Sequence, residues 1–431
     1  MLGCRARTLP TTGWTGGRGL GLLALVVLAC AWWITSAAAG DWPAWLNPQG
    51  KGDGNAVSDE SLPQAIDLER AAWRGKVGIG FSAVAVADDR LFTMGHNGVQ
   101  GPRGSGGIET VWCLDAGSGE VIWKDEYAAP LLPNLHDGGP GATPVVDDGV
   151  VFTISKDGQA HAYEAASGRR LWSRELMRET GMRRPPEWGF SASPVIHGDT
   201  VLVESGATLA LDRHSGEVLW RSDKYTPAYG SPTVFQQGGS DWIAVLKTEG
   251  LVIFDMAGKT VAFHPWETSF QTNANTPMVI GERLFVSTGY DRGCTLLDFD
   301  GQSLKTVYEN QTMCNHMGNS VLIDGHLYGF DGTAHRGREV ELVCMELESG
   351  VEKWRHKGLR YGTLIGVGKH LVVLSERGEL LIGAATDESW SPGHEAQVLG
   401  GRCWTMPVWA NDLLYCRNSR GDLVALPLSA E

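Results

Sequence analysis

A chain of 431 residues with 57 glycines, 17 tryptophans and 20% charged residues suits many short strands joined by tight turns better than long charged helices. That length fits two or three ordinary domains or one closed repeat body. The net charge of −14, without Lys/Arg clusters, argues against nucleic acid as a partner, and its plain meaning is solubility.

The chain opens on what reads as an export leader. Arg5, Arg7 and Arg18 precede an apolar run from Leu20 to Ile34, and Ala37, Ala38 and Ala39 supply the small residues a signal peptidase requires. Residues 1–39 are therefore expected to be a signal peptide cleaved after Ala39, which directs the protein to the periplasm or cell envelope. Two alternatives stand beside this. The run is long enough to stay as an N-terminal membrane anchor, giving membrane contact through an uncleaved leader. Cys30 in Val27-Leu28-Ala29-Cys30 also loosely resembles a lipidation site, although Leu28 and the apolar Ala31-Trp32-Trp33-Ile34 fit it poorly. Loss of the leader's three arginines lowers the net charge from −14 to −17.

Residues 40–70, Gly/Pro-rich from Asp41-Trp42-Pro43 to Asp53-Gly54-Asn55, match no repeat and read as an irregular N-terminal extension lying across the domain that follows. Asp53, Asn55, Asp59 and Glu60 offer oxygen ligands but lack the spacing of a calcium loop.

From residue 71 to 431 the tryptophans expose a repeat. Leu114-Asp115…Gly119…Trp123, Tyr163-Glu164…Gly168…Trp172, Leu211-Asp212…Gly216…Trp220 and Met345-Glu346…Gly350…Trp354 each place an acid eight residues, and a glycine four residues, before Trp. The acid accepts from turn amides, Ser-Gly allows positive φ, and the Trp offers a flat apolar surface between neighbouring sheets. Upstream of these units, apolar alternation around Asp/Gly turns gives hairpins such as Thr143-Pro144-Val145-Val146-Asp147-Asp148-Gly149-Val150-Val151-Phe152 and Ser193-Pro194-Val195-Ile196-His197-Gly198-Asp199-Thr200-Val201-Leu202. Hairpin, third strand and Trp strand make one four-stranded propeller blade. About eight three-strand sets are counted, with fourth strands near Trp73, Trp123, Trp172, Trp220, Phe263, Val307, Trp354 and Gln397. The fold expected is all-β, a β-propeller of eight four-stranded blades whose N-terminal strand at Trp73 completes the last blade, with seven blades as the alternative.

The Leu-Asp-x-x-Ser-Gly-x-x-x-Trp units resemble the PQQ-like (quinoprotein-like) repeat, seen in quinoprotein alcohol dehydrogenases and in outer-membrane assembly lipoproteins of the BamB kind. The resemblance covers roughly residues 71–426. Asp41-Trp42-Pro43, Trp73-Arg74-Gly75-Lys76-Val77, Thr288-Gly289-Tyr290 and Ser375-Glu376-Arg377-Gly378-Glu379-Leu380 are similar to uncharacterised bacterial exported repeat proteins. In the dehydrogenases the resemblance implies an adjacent Cys-Cys pair against the quinone, calcium and a catalytic Asp. This sequence contains no adjacent cysteines and no Cys-x-x-Cys-His, so no cofactor is expected. PQQ with calcium enters only under an oxidoreductase alternative.

Six cysteines follow the leader, and Cys403 with Cys416 is the candidate disulfide, flanking a hairpin that would set them nearly opposite. Propellers bind at loops around the central channel, so the connections from a fourth strand to the next first strand supply the candidate ligand-binding residues. These are His136, Glu187, Trp188, Tyr229, Asn273, Asn275, His316, Tyr361, Arg402 and Trp404. A metal site joining His136, Cys314 and His316 lacks any local ligand pair and is not expected, and no Gly-x-Ser-x-Gly elbow marks a nucleophile. The reading that follows is an exported, non-enzymatic scaffold binding envelope proteins, with an oxidoreductase or a carbohydrate binder using Trp188, Tyr229 and Trp404 as alternatives.

Overall fold

Apolar alternation around short Asp/Gly turns folds into antiparallel hairpins because both turn residues take positive φ and match the strand twist. Val145–Asp147 pairs with Val150–Ile154 across Asp148 at φ 47° and Gly149 at φ 71° in this way. The computed structural model describes residues 40–46, 56–57, 62, 66–68, 70–101, 105–336 and 339–428. The leader, Cys30 and the oxygen ligands considered at Asp53, Asn55, Asp59 and Glu60 lie outside the described residues.

Eight sheets account for most of the described chain, seven of four strands and one of five. The seven complete blades begin on Ala85–Ala87, Val145–Asp147, Val195–His197, Thr233–Gln237, Met278–Ile280, Val321–Ile323 and Thr363–Val367. Their fourth strands are Val121–Ala128, Arg170–Glu175, Val218–Arg221, Thr260–Pro265, Leu304–Asn310, Glu352–His356 and His394–Gln397. Blade 8 combines Val408–Ala410, Leu413–Arg417 and Asp422–Pro427 with Trp73–Lys76, Trp73 standing opposite Ala425. The ring is therefore an eight-bladed propeller closed by its N-terminal strand, as the sequence predicts. No helix among the described residues is long and apolar enough to cross a membrane.

Two sets of contacts join the blades. On the outside, Trp73, Trp123, Trp172 and Trp220 each belong to one blade and the glycine they pack on to the next. Trp73 Nε1 donates to Ala116 O at 2.9 Å, Trp123 to Ala165 O at 2.8 Å and Trp172 to Arg213 O at 2.9 Å. A Cβ added at Gly119, Gly168 or Gly216 would stand 2.6 Å from the corresponding indole. Near the axis, the hydroxyl before each proline accepts from the preceding blade. Ala83 N donates to Thr143 Oγ1, Thr143 N to Ser193 Oγ, Ser193 N to Ser231 Oγ and Ser231 N to Thr276 Oγ1, at 2.9 to 3.2 Å. This belt satisfies backbone groups that the short first strands leave outside the ladders.

Closure between blades 8 and 1 adds Arg417, whose side chain is buried and donates to Ser82 O at 2.6 Å, Thr93 Oγ1 at 2.8 Å, Met94 O at 2.9 Å and Gly78 O at 3.1 Å. Burial lowers its pKa to about 9.

The extension is not wholly irregular, and it enters the channel. Trp42 bridges Val86 of blade 1, Pro43 O accepts from Val146 of blade 2, and Trp45 Nε1 donates to Thr276 Oγ1 of blade 5 at 3.2 Å. Ala56–Val57 then forms a strand, parallel to Gly366 and Val367 of blade 7. Trp42 is fully buried.

The Cys403–Cys416 pairing does not form; both thiols are free and buried. The ladder of that hairpin begins only at Val408, opposite Tyr415, so Cys403 lies outside it, where its N–H bonds Glu376 O. Burial pushes the Cys403 thiol up to about 12.

Candidate functional site at the channel mouth

The loops that enter the first strands converge on one end of the channel around a cavity of about 190 Å³. Of the residues expected there, His136, Trp188, Tyr229, His316 and Trp404 line it. Trp404 stacks on Phe81 with ring centroids 5.8 Å apart, and Phe81 meets the edge of His136 at 5.3 Å. Trp188 and Tyr229 make a T-shaped pair at 5.6 Å, and Tyr290 meets His316 edge-on at 5.0 Å. The walls are therefore aromatic, while Trp45 from the extension also reaches the cavity.

Both histidines act as neutral acceptors. His136 Nδ1 accepts from Gly138 N at 3.0 Å and His316 Nδ1 from Ala334 N at 3.1 Å. Burial pulls each imidazole down to about 4, so at neutral pH neither carries charge. Burial also pushes the Tyr229 phenol up to about 12.

Five expected residues stand elsewhere. Asn273 is sealed in the wall, donating to Lys247 O and Trp266 O at 2.8 Å and accepting from Thr268 and Thr288 hydroxyls, so every polar atom is committed to structure. Asn275 is buried behind the lining, with long contacts to Asn315 O and Gly318 O. Tyr361 lies under Trp404, its hydroxyl accepting from Met317 N at 2.9 Å. Glu187 and Arg402 sit at the rim: Glu187 accepts from Asn134 Nδ2 at 3.3 Å, and Arg402 covers the Trp404 ring at 4.5 Å while pairing with Asp137 at 3.3 Å.

Sequence reasoning misses Phe81, Lys156, Tyr290 and His335, all of which line the cavity. Three of them belong to connections between the second and third strands of blades 2, 5 and 6, which reach the same face as the entry loops. The turn Ser155-Lys156-Asp157-Gly158 and its counterpart Ser375-Glu376-Arg377-Gly378 carry the signal that would reveal this.

The described lining contains no carboxylate and no cysteine, and the described residues hold no cluster of three or more His, Cys, Asp or Glu side chains suited to a metal ion. A calcium ion takes six to eight oxygen ligands, usually including carboxylates. The donor set present here does not fit calcium-bound PQQ, and no redox step follows from it.

A family model described as outer membrane protein assembly factor BamB matches residues 52–303 and 107–356. The BamB of Alkalilimnicola ehrlichii is 28% identical over 26% of this chain and 27% of its own length, and that of Burkholderia pseudomallei is 24% identical over 52% and 67%. The chain thus spans about a quarter of the first relative. Among solved structures, BamB from Moraxella catarrhalis superposes with a TM-score of 0.60 at 16% identity, covering 83% of this chain and 99% of that one. Quinohemoprotein alcohol dehydrogenase from Comamonas testosteroni gives 0.65 at 11% identity, covering 92% and 82%. The structural likenesses show the fold, which enzymes and assembly factors share. With most of its blades under the matching family model, the chain belongs to the PQQ-repeat family of the outer membrane protein assembly factor BamB.

Proposed function

We propose that this protein is an exported, non-enzymatic scaffold that docks an envelope protein, of the outer-membrane assembly kind its relatives are named for, onto the face bearing the channel mouth. One observation carries the reading: the backbone at this rim is strained in order to present apolar side chains to solvent. Leu135 at φ 59° is 81% exposed and Phe270 at φ 64° is 72% exposed. A bulky residue in the left-handed region costs on the order of 1–3 kcal/mol. Positive φ at the hairpin turns on the opposite face falls instead on Asp, Asn or Gly, such as Asp148, Asp324 and Asn411, where it is inexpensive. Exposed large apolar groups in strained loops over an aromatic concavity suit a macromolecular contact.

The reading calls for no bound quinone, consistent with a cavity lining that offers calcium no carboxylate. A carbohydrate contact is less well served, because Trp404 already has Phe81 and Arg402 as ring partners. Photo-crosslinkers at Leu135 and Phe270 in cells test the proposal: adducts with an outer-membrane assembly protein are expected there, and their absence, with adducts from the opposite face instead, would refute it.

A further inference from the structure

Two buried lysines stand in this propeller under opposite conditions. Lys247, at the junction of blades 3 and 4, is fully satisfied: Nζ donates to Glu204 Oε2 at 2.5 Å and to Gly206 O and Thr208 Oγ1 at 3.0 Å. Lys156 is 2% exposed and lines the mouth cavity, yet among the described residues its ammonium has neither an ion pair nor a bonded acceptor. Its position is fixed all the same. The backbone N–H donates to Glu109 Oε1 at 3.1 Å, the carbonyl accepts from Phe190 N at 2.9 Å, and the methylene stem passes so near Gly189 that a Cβ there would stand 2.7 Å from Cδ. An ammonium so deeply set with no protein acceptor is costly, and it opens only on the cavity, where a water or an incoming ligand must supply the partner.

We infer that the cavity is a recognition pocket for a single carboxylate carried on a flat apolar group, with the Lys156 ammonium as its anchor. The idea deepens the docking proposal and rests on it where the carboxylate belongs to a partner's acidic side chain. A free small acid offers the same chemistry.

The surroundings fit an anion. Lys156 is the one Lys or Arg in the described lining, which has no carboxylate to compete. Ser193, Ser231 and Thr276 accept in the blade belt and keep their O–H hydrogens as donors for a second carboxylate oxygen. Phe81, Trp188, Tyr229 and Trp404 provide the apolar walls. Among the titratable neighbours, Glu109 is buried and raised to about 8, chiefly by desolvation, and Lys156 is lowered by desolvation to about 8. At pH 7 the first is therefore mainly neutral and the second mainly charged. His136 and His316 are neutral there; Asp157 is tied to Ser155 Oγ and Gln159, and Arg402 to Asp137. Glu187 takes the Asn134 amide at the rim. Burial raises the phenols of Tyr229 and Tyr290, which stay neutral, and His335, the third histidine of the lining, meets the Tyr290 ring at 5.7 Å.

The test is calorimetric titration of the full purified protein with 2-naphthoate, with the uncharged 2-naphthamide, and with short peptides carrying Phe-Glu or Phe-Gln. We expect the acid or the Phe-Glu peptide to bind at pH 7, with affinity at least about tenfold weaker in Lys156→Met and falling as the pH passes about 8. Naphthoate binding assigns the pocket to free acids, and Phe-Glu binding alone assigns it to a docked side chain. The inference is overturned if neither binds, if the amide or Phe-Gln binds as tightly as its acid, or if Lys156→Met leaves binding unchanged. The pH series on unaltered protein stands even if the variant misfolds. Crosslinking at Leu135 and Phe270 in the unaltered protein separates the two proposals: adducts there without acid or Phe-Glu binding leave the docking face standing and overturn the pocket.

Discussion

Replacing Gly168 with alanine should weaken the ring far more than the same change at Gly149, although both glycines sit at nearly the same backbone angle. Gly168 has φ 73° and Gly149 φ 71°, so each alanine pays a left-handed backbone cost of about 1–2 kcal/mol. Around Gly149 nothing lies within 4 Å of the added Cβ, whereas at Gly168 it would stand 2.6 Å from Trp123 Cδ2 and 2.7 Å from Cε3. The indole cannot retreat freely, because it is buried between blades and its N–H is fixed on Ala165 O at 2.8 Å. Displacing it sacrifices roughly 1 kcal/mol of hydrogen bonding and about 1–3 kcal/mol of packing. Gly168→Ala should therefore cost about 3–6 kcal/mol and Gly149→Ala about 1–2 kcal/mol. Urea denaturation followed by far-UV circular dichroism reads both. A Trp123→Ala background provides the decisive cross-check, since removing the ring should reduce Gly168→Ala to the backbone cost alone. Equal costs for the two glycines, or no change in the Trp123→Ala background, would refute the account of how blades are joined.

Other consequences are as specific. Arg417→Met strips the donor from three backbone carbonyls of blade 1 and should cost about 3–5 kcal/mol in urea denaturation, with Arg417→Lys intermediate. Glu109 is raised to about 8 from 4.5 in the folded state, so the fold binds an extra proton between those values and its contribution to stability declines as pH rises through that window. Because His136 and His316, lowered to about 4, affect only the range below 6.5, thermal melts of the unaltered protein should lose about 1–2 kcal/mol between pH 6.5 and 8. Glu109→Gln should flatten that interval, and an unchanged profile would count against a neutral buried Glu109. Protein reconstituted with calcium and PQQ should show neither quinone absorbance nor dye reduction; either signal would restore the oxidoreductase reading.

The blades are legible in the sequence because their determinants are local. Asp115 accepts from Ser118 N and Oγ at 2.8 Å, as its spacing before the turn suggests, and the alternation on either side fixes the faces. Even the closing strand at Trp73 can be placed, because a lone fourth strand at one end and a missing one at the other imply each other. The Ser/Thr-Pro pattern is visible too, but its use as a belt is not, since Ala83 and Thr143 are 60 residues apart and become neighbours only once the ring exists. The same limit governs the site. His136 and Trp404 follow from the entry loops, whereas Lys156 sits in a turn that reads as an ordinary Asp-Gly hairpin until its blade is oriented. Asn273 errs in the other direction: an amide in an entry loop resembles a ligand group, and the hydrogen bonds that occupy it come from residues on three surrounding segments.

The proposed docking puts the partner on the strained mouth face, and not on the opposite face or the blade edges. Site-specific photo-crosslinking in cells compares Leu135 and Phe270 with Asp148 and Asp324 on the opposite turns and Val121 and Leu219 on outer strands. A common protein adduct is expected from the first pair alone. Adducts of that protein from the opposite turns or outer strands, with Leu135 and Phe270 silent, would contradict it.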